Sequence, residues 1–449
     1  MTVQYLFSER AHYMCPNMHF GIAVEICEEY NKALTRRILD ELSQAHPLLR
    51  SVILEDAQGR PYYAEQESLQ IPLYEREDAN RFLEDYEKLT SEGWDLRRDC
   101  MLKVLAYRKE DCIFLVFAAH HLLCDGMALL QLVQNFVECY VNHSKTEQTN
   151  KDQSYVNSDA ASMQQGHIIP ANRDRIIASA DEFPSDSRLN FVTKCIVNSA
   201  NRNWRKEGKK VSYSEYRSFE KEYVAANPFA RTITTIEGEE YEHIIKQCRE
   251  HKISVNDYLV AAMMVKEQTK KVIIGANIRN RIKAYEPGSL GNFSSACSVV
   301  VKGKPQDIYE TAAQVNRQIA QIKARPDREL LVLSLYMAMD PDLIDAAAIA
   351  TLGSFPSKAG AFVGGRLFGF EKRENYTITN LGRIQSTSIK AGYFIPPISP
   401  SSRKIAGVLT VNNTMKRWSA TECAKASLWI FFEGEKCNLL RTNPPEWRW

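Results

Sequence analysis

Residues 113–126 read IFLVFAAHHLLCDG, and this stretch decides the fold of the chain around it. Seven apolar residues precede the pair His120-His121, and a continuous apolar run of that length is typical of a buried strand. Behind Gly126 the apolar positions recur every three or four residues, which predicts an amphipathic helix. That stripe consists of Leu129, Leu132, Val133, Phe136, Val137 and Tyr140. The sequence therefore predicts a strand, a polar corner and a helix, with the corner facing a cleft at the strand end.

The polar corner holds three residues that suit catalysis. His121 has an unperturbed pKa of about 6.5, so its neutral ring is able to accept a proton near neutral pH. Asp125 lies four residues later, where its carboxylate could hold the imidazole or shape the loop. Gly126 allows the backbone to turn tightly and to approach a ligand closely. We therefore predict His121, Asp125 and Gly126 as catalytic residues.

A purely structural interpretation of the same corner is also open. Asp125 then serves only as the N-cap of the following helix, and Gly126 only as a turn residue. The two histidines would satisfy hydrogen bonds at the end of the strand. The spacing HHxxxDG directly after an apolar strand favours the catalytic interpretation over this one.

The segments around the corner alternate between strand and helix patterns, which predicts an α/β fold with mixed sheets. Apolar strand patterns occupy residues 20–26, 49–55, 60–64, 101–107, 112–118, 232–236 and 271–278, and helical patterns occupy residues 34–45, 243–248 and 258–266. A chain of 449 residues is too long for one ordinary core. We predict an N-terminal lobe over residues 1–185 and a C-terminal lobe over residues 186–449. A polar connection from about residue 142 to 190 is rich in Ser, Asn, Gln, Asp and Lys.

Composition excludes several classes of protein. Lys plus Arg number 57 against 55 for Asp plus Glu, and a net charge of +2 gives no long-range attraction to nucleic acid. The sequence contains no run of about 18 apolar residues, so no transmembrane segment is predicted. The 11 cysteines form no CxxC pair, so neither a metal nor a permanently bound cofactor is expected. Reduced thiols, and an N-terminus without a signal-peptide pattern, favour a cytoplasmic location.

Six segments, taken together, resemble the chloramphenicol acetyltransferase-like superfamily. This superfamily includes the condensation domains of nonribosomal peptide synthetases, the plant BAHD acyltransferases and the alcohol acetyltransferases. The HHxxxDG segment resembles its active-site motif. The other five are residues 48–50 (LLR), 254–259 (SVNDYL), 274–281 (IGANIRNR), 291–293 (GNF) and 379–382 (TNLG), in family order. The resemblance implies two chloramphenicol acetyltransferase-like lobes that meet at a central active-site tunnel.

The resemblance also implies roles for individual residues. His121 would be the general base, and His120 would be structural. Asp125 would form an ion pair with an arginine of the other lobe; we choose Arg281, with Arg279 as the alternative. For the oxyanion of the tetrahedral intermediate, the candidate donors are backbone N–H groups near Gly126 and the side chains of Asn292 and Ser295.

The implied activity is transfer of an acyl group from a thioester donor to a hydroxyl or amine acceptor. The donor substrate would be acyl-coenzyme A or an acyl-phosphopantetheine, in the latter case with an acyl or peptidyl carrier protein as partner. The Gln-rich opening segment of synthetase condensation domains and the DFGWG stretch of the plant enzymes are both missing, which favours a stand-alone enzyme that uses coenzyme A. The alternatives are a free-standing condensation enzyme with a carrier-bound donor and a non-catalytic binding module.

Overall fold

The computed structural model describes residues 3–109, 112–153, 174, 176–283 and 285–422. For residues 145–153 it describes the backbone only. The strands are β1 (Gln4–Tyr5), β2 (His19–Ile26), β3 (Ser51–Glu55), β4 (Pro61–Glu65), β5 (Leu73–Arg76), β6 (Leu102–Arg108), β7 (Ile113–His120), β8 (Phe229–Ile236), β9 (Lys271–Asn277), β10 (Ser294–Val300), β11 (Asn375–Ile384), β12 (Ile389–Ile395), β13 (Ser402–Val411) and β14 (Thr414–Glu422). The α-helices are α1 (Lys32–Ala45), α2 (Phe82–Ser91), α3 (Gly126–Gln153), α4 (Phe191–Glu207), α5 (Tyr213–Ala226), α6 (Gly238–Glu250), α7 (Val255–Glu267), α8 (Ile308–Lys323), α9 (Pro326–Glu329), α10 (Leu331–Ala338), α11 (Pro341–Leu352) and α12 (Lys358–Phe362).

Three sheets organise these strands. One sheet has the order β12-β2-β7-β6-β5, a second has the order β10-β9-β11-β13-β14-β8, and a small one has the order β1-β4-β3. Parallel pairs (β5 with β6, β11 with β9 and with β13) occur beside antiparallel ones. The predicted α/β class with mixed sheets is therefore confirmed.

The sheet containing β2 and β7 positions the polar corner. β7 lies between β2 and β6, and all eight of its residues are buried, as the continuous apolar run predicts. Its last residue, His120, pairs with His19 at the start of β2. The helix α3 begins at Gly126, so the corner spans only a few residues. Strand, corner and helix are confirmed in the predicted order.

Residues 254–257 (SVND) have the sequence pattern of a capping box, and a capping box is present at the start of α7. The Ser254 hydroxyl accepts a hydrogen bond from the backbone N–H of Asp257, and the Asp257 carboxylate accepts one from the backbone N–H of Ser254. This reciprocal pair satisfies two donors that a helix start leaves free. It fixes the helix that precedes β9.

The predicted polar connection contains more helix than its composition indicates. Helix α3 continues to Gln153, and α4 begins at Phe191. Residues 154–173, which belong to the predicted connection, lie outside the described residues. Both α4 and α5 place an apolar stripe, including Val197, Trp204 and Tyr216, in the core that also contains β2 and β7.

One strand crosses the predicted boundary at residue 185. β12 pairs antiparallel with β2 and so completes the sheet of the N-terminal part. The hydrophobic core of that sheet also includes residues of α10 and α11. The division into 1–185 and 186–449 stays a prediction about the sequence, whereas this core draws on both halves.

No helix in the described ranges is both long enough and apolar enough to cross a membrane.

Candidate active site

A cavity of about 480 Å³ opens beside the polar corner. One side of it is formed by β9, β10 and β11, and the other by the 3-10 turn Ser8–His12 together with α10 and α11. His121, Asp125 and Gly126 all line it. A largely apolar cavity of this size with a few polar groups is typical of a small-molecule site.

His121 lies at the first position after β7, and its backbone N–H donates to the carbonyl of Met18 over 2.8 Å. Its ring packs beside Phe20, with ring centroids 5.2 Å apart. Both strands that hold it are buried, so the ring enters the cavity from a rigid support. Burial lowers the pKa of His121 below its ordinary value. The ring is therefore neutral at pH 7.

Asn292 fixes the orientation and the tautomer of this ring. Its Nδ2 donates to the backbone carbonyl of His121 over 2.8 Å, and its Oδ1 lies 2.9 Å from His121 Nδ1. Because an amide oxygen only accepts, Nδ1 of the neutral ring must carry the proton. The lone pair is then on Nε2. Asn292 therefore acts as a positioning residue for His121, and its role as an oxyanion donor stays a prediction.

His120 is buried, with 3% of its surface exposed. Its Nδ1 accepts a hydrogen bond from the backbone N–H of Leu122 over 3.2 Å, and its ring meets His19 edge to face at 5.1 Å. Burial, with the neighbouring His19 adding to it, holds the pKa of His120 well below its ordinary value. These contacts agree with the structural role that the resemblance implies.

Asp125 ties the start of α3 to the segment before β10. One carboxylate oxygen accepts from the backbone N–H of Ala128 over 2.9 Å, and the other accepts from the backbone N–H of Phe293 over 2.7 Å. The first bond makes Asp125 the N-cap of α3, as the structural interpretation of the corner predicts. The second bond joins two segments that are 168 residues apart.

The ion pair of Asp125 corrects the predicted partner. Arg279 Nη2 lies 2.9 Å from Asp125 Oδ1, and both side chains are largely buried. Burial acts against the charge of Arg279, but the carboxylate of Asp125 outweighs it and raises the pKa of the guanidinium. Arg281 instead donates to Glu329 over 2.8 Å. The choice of Arg281 is therefore wrong, and its alternative, Arg279, is the partner.

The short 3-10 turn Arg279–Arg281 explains this difference. The sequence pattern predicts a strand that ends at Ile278, and β9 ends one residue earlier, at Asn277. In a turn of about three residues per revolution, side chains two positions apart point in different directions. Arg279 therefore reaches the polar corner, while Arg281 reaches the carboxylate at the end of α9.

Gly126 is required for close packing. A Cβ at this position would lie 3.0 Å from the Leu381 side chain and 3.2 Å from the Phe394 ring. The first turn of α3 thus lies against β11 and β12, and any larger residue at position 126 would require the Leu381 side chain and the Phe394 ring to shift by a few tenths of an ångström. The predicted close approach of Gly126 to a ligand stays a prediction, because the near neighbours in this structure are side chains of the protein.

Ser295 lies on β10 and lines the cavity with 7% of its surface exposed. Within the described part of the chain its hydroxyl has no hydrogen-bond partner. A buried polar atom without a partner costs free energy unless a ligand satisfies it. The role of Ser295 as an oxyanion donor, which the resemblance implies, stays a prediction.

His12 is a site residue that the sequence did not reveal. Its ring stacks on His121 with centroids 4.2 Å apart and an angle of 11° between the planes. Burial, assisted by His121, holds the pKa of His12 well below its ordinary value, so this ring is neutral as well. A single histidine in a short 3-10 turn has no periodic or motif signal. Only the fold brings it next to a residue 109 positions later.

Comparisons with known proteins agree with this architecture. The family model described as "Condensation domain" matches residues 3–168, and no curated protein sequence matches the chain. Trichothecene 15-O-acetyltransferase from Fusarium sporotrichioides superposes with a TM-score of 0.57 at 10% identity, over 95% of this chain and 92% of that chain. The first condensation domain of the CDA synthetase gives a TM-score of 0.55 at 12% identity, over 96% and 93%. Polyketide synthase associated protein 5 from Mycobacterium tuberculosis gives 0.53 at 13% identity, over 95% of each chain.

Identities of this size carry information on the fold rather than on the substrate. The similarity extends over nearly the whole length of each of these proteins. The chain therefore has the same fold as these three proteins, and its residues 3–168 match the condensation-domain model.

Proposed function

We propose that this chain is an acyltransferase that moves an acyl group from a thioester donor to a hydroxyl or amine acceptor, with His121 as the general base. One observation supports this proposal above the others. The hydrogen bond between His121 Nδ1 and Asn292 Oδ1 leaves Nε2 unprotonated on a ring that lines the cavity. A base with a free lone pair inside a largely apolar cavity is what such a transfer needs.

In the proposed reaction, His121 Nε2 takes the proton from the acceptor while the acceptor oxygen or nitrogen attacks the thioester carbonyl. The tetrahedral intermediate then collapses, the C–S bond breaks, and the imidazolium returns the proton to the leaving thiolate. The same proton therefore moves from the acceptor to Nε2 and from Nε2 to the leaving thiolate. The products are an ester or amide and a free thiol.

The negative charge on the intermediate's oxygen needs donors that are already in place. The hydroxyl of Ser295 is buried, lines the cavity and has no partner within the described residues. The backbone N–H of Gly126 lies in the first turn of α3, where N–H groups have no partner within the helix. We assign oxyanion stabilisation to these two groups.

For the donor we favour acyl-coenzyme A, because the opening segment of synthetase condensation domains is missing from the sequence. The match of residues 3–168 to the condensation-domain model favours the alternative, a carrier-protein-bound acyl-phosphopantetheine. Coenzyme A and the carrier protein present the same pantetheine arm, so the cavity itself suits both.

A direct assay separates these possibilities. The same acyl group is supplied once on coenzyme A and once on a phosphopantetheinylated carrier protein, and released thiol and acylated product are measured for wild type and His121→Ala. We expect transfer from acyl-coenzyme A that depends on His121. Transfer from the carrier protein alone would make the choice of coenzyme A wrong. No transfer from either donor, with thioester binding retained, would point to a non-catalytic binding module.

A further inference from the structure

One part of the cavity extends from His121 toward α11 and is lined by apolar side chains. We call this part the apolar arm and define it by Met14, Tyr336, Ile344, Ala347, Ala348 and Phe368. All six belong to, or pack against, the same hydrophobic core. The 3-10 turn that carries His12 packs on both α10 and α11, so the arm begins beside the stacked histidines.

The α11 wall of the arm is formed by one face of the helix. Ile344, Ala347 and Ala348 have the spacing i, i+3, i+4, which places them side by side. Two of these three positions carry only a methyl group and expose 1% of their surface, so this wall of the arm is smooth and closely packed. On another wall, the rings of Phe368 and Tyr336 meet edge to face, with centroids 5.4 Å apart.

Charge is neutralised around this space. Among the described residues that line the cavity, the charged ones are Asp125 and Arg279, which pair with each other. Asp345 follows Ile344 on α11, but its carboxylate accepts from Arg10 Nε over 2.9 Å. An ionised ligand group would lose its hydration in the arm and find no opposite charge there.

We propose that the apolar arm binds an uncharged, apolar body, aliphatic or aromatic, of one reactant, and that Ala347, Ala348 and Phe368 determine its maximum size. That the bound body belongs to a reactant rests on the proposed acyl transfer. Its apolar character rests on the shape and chemistry of the cavity. Each further methylene that enters the arm should tighten binding about fourfold, until the arm is full.

The test varies the two reactants separately. One series holds the alcohol acceptor constant and changes the donor from acetyl- to palmitoyl-coenzyme A. The other holds acetyl-coenzyme A constant and changes the acceptor from ethanol to dodecanol. The series whose kcat/KM rises with chain length identifies the reactant that occupies the arm.

Two variants report on the arm itself, and a third is their control. Ala348→Phe fills it and should shift the preferred chain to a shorter length, whereas Phe368→Ala enlarges it and should shift the preference to a longer one. A general folding defect would lower the rate for all lengths together and would not move the optimum in opposite directions. Ala225→Phe, on the exposed side of α5, is the matched control and should leave the length profile unchanged.

Binding measured without turnover separates this inference from the proposed reaction. Calorimetric titration of His121→Ala with the same acyl-coenzyme A and alcohol series should show affinities that rise with chain length. Graded binding together with no transfer by the wild type would support the arm and contradict acyl transfer. A flat length profile in both series, a preference for succinyl over butyryl groups, or an Ala348→Phe profile equal to wild type would overturn the apolar arm.

Discussion

At the scale of single residues, two neighbours on different elements determine what His121 can do. Asn292 holds Nδ1 from one direction, and His12 covers the ring face. The first contact fixes the tautomer and the second limits rotation of the ring. A base held in this way needs little reorganisation when a proton arrives.

Substitution of the two adjacent histidines should separate catalysis from structure. His121→Ala should lower turnover by about 10²- to 10⁴-fold, because a positioned base acts mainly in the transition state. Its melting temperature should stay close to that of wild type. His120→Ala should lower stability and turnover together, because this ring is buried and accepts the N–H of Leu122. A thioester-release assay and a melting curve on each variant check both, and full activity in His121→Ala would contradict the role of the base.

His12 should influence the basicity of His121 through its ring face. The rate should fall as pH drops below 6.5, since the base must start neutral and burial lowers its pKa. The His12 ring covers one face of His121, so His12→Ala should relieve part of the burial that lowers the pKa of His121, shift this acid limb up in pH and, because the ring is held less firmly, lower turnover. His12→Phe keeps a stacked ring and should restore most of both quantities.

The measurements are the pH profile of kcat/KM and an NMR titration of His121. If His12→Phe restores the titration of His121 but remains as slow as His12→Ala, then a His12 nitrogen contacts the substrate and stacking is not its function.

Sequence could identify His121, Asp125 and Gly126 because they are close together in one motif. It could not identify the role of Asn292 or the presence of His12, because both depend on contacts between distant segments. The GNF segment at residues 291–293 is one of the six segments that carry the resemblance, but the direction of the Asn292 side chain follows only from the fold.

At the scale of elements, the Asp125–Arg279 pair connects α3 to the segment after β9. Breaking one partner of a buried pair costs about 3–5 kcal/mol, because the remaining charge has no compensation. The exposed fraction is 3% for the Asp125 side chain and 14% for that of Arg279. We expect a loss near the lower end for Arg279→Ala, together with reduced turnover, since α3 carries Gly126 and begins at the active site.

Arg281→Ala is the matched control for this substitution. It also removes an ion pair to a buried carboxylate, that of Glu329, but the pair lies away from the cavity lining. Its stability should fall while kcat of the folded fraction stays near wild type. Urea denaturation and steady-state rates normalised to the folded fraction measure the two quantities, and equal losses of kcat in both variants would contradict the assignment of Arg279.

The elements that sequence predicted well are those with one clear period. The continuous apolar run gave β7, the three-and-four spacing gave α3, and the Ser254 capping signal gave the start of α7. Helices α4 and α5 were missed because their apolar stripes are narrow and their exposed faces are as polar as a linker. The choice between Arg279 and Arg281 depends on how the 3-10 turn after β9 directs each side chain, and no periodic pattern in the sequence encodes that direction.

At the scale of the whole molecule, buried histidines make stability depend on pH. Burial lowers the pKa of His19 to about 3 and holds those of His12 and His120 well below their ordinary value. The unfolded chain therefore binds more protons than the native state between pH 6.5 and those lowered values. The free energy of unfolding should fall as pH decreases through this window.

Glu9 opposes this trend, because burial raises its pKa to about 7 from 4.5. Its native carboxyl gains a proton as pH falls from 7 to 4.5, which stabilises the folded state. Glu9→Gln removes this contribution and should make the acid loss of stability steeper, whereas His19→Gln should make it shallower. Urea titrations at pH 7.0, 6.0 and 5.0, roughly spanning the window between ordinary Glu and His pKa values, measure the slopes. Parallel slopes in all three proteins would contradict the linkage.

The pairing of β12 with β2 delays completion of their sheet during synthesis of the chain. Ile26 pairs with Ile389, so the ribosome must add more than 360 residues after β2 before its partner exists. At synthesis rates of roughly 5–20 residues per second, β2 waits roughly 20–70 s with one edge unpaired. All eight residues of β2 are buried in the finished protein, and an apolar strand with a free edge is a template for association with other chains. We therefore expect the nascent chain to be prone to association during this interval, and a chain that stops before β12 to keep this edge open permanently.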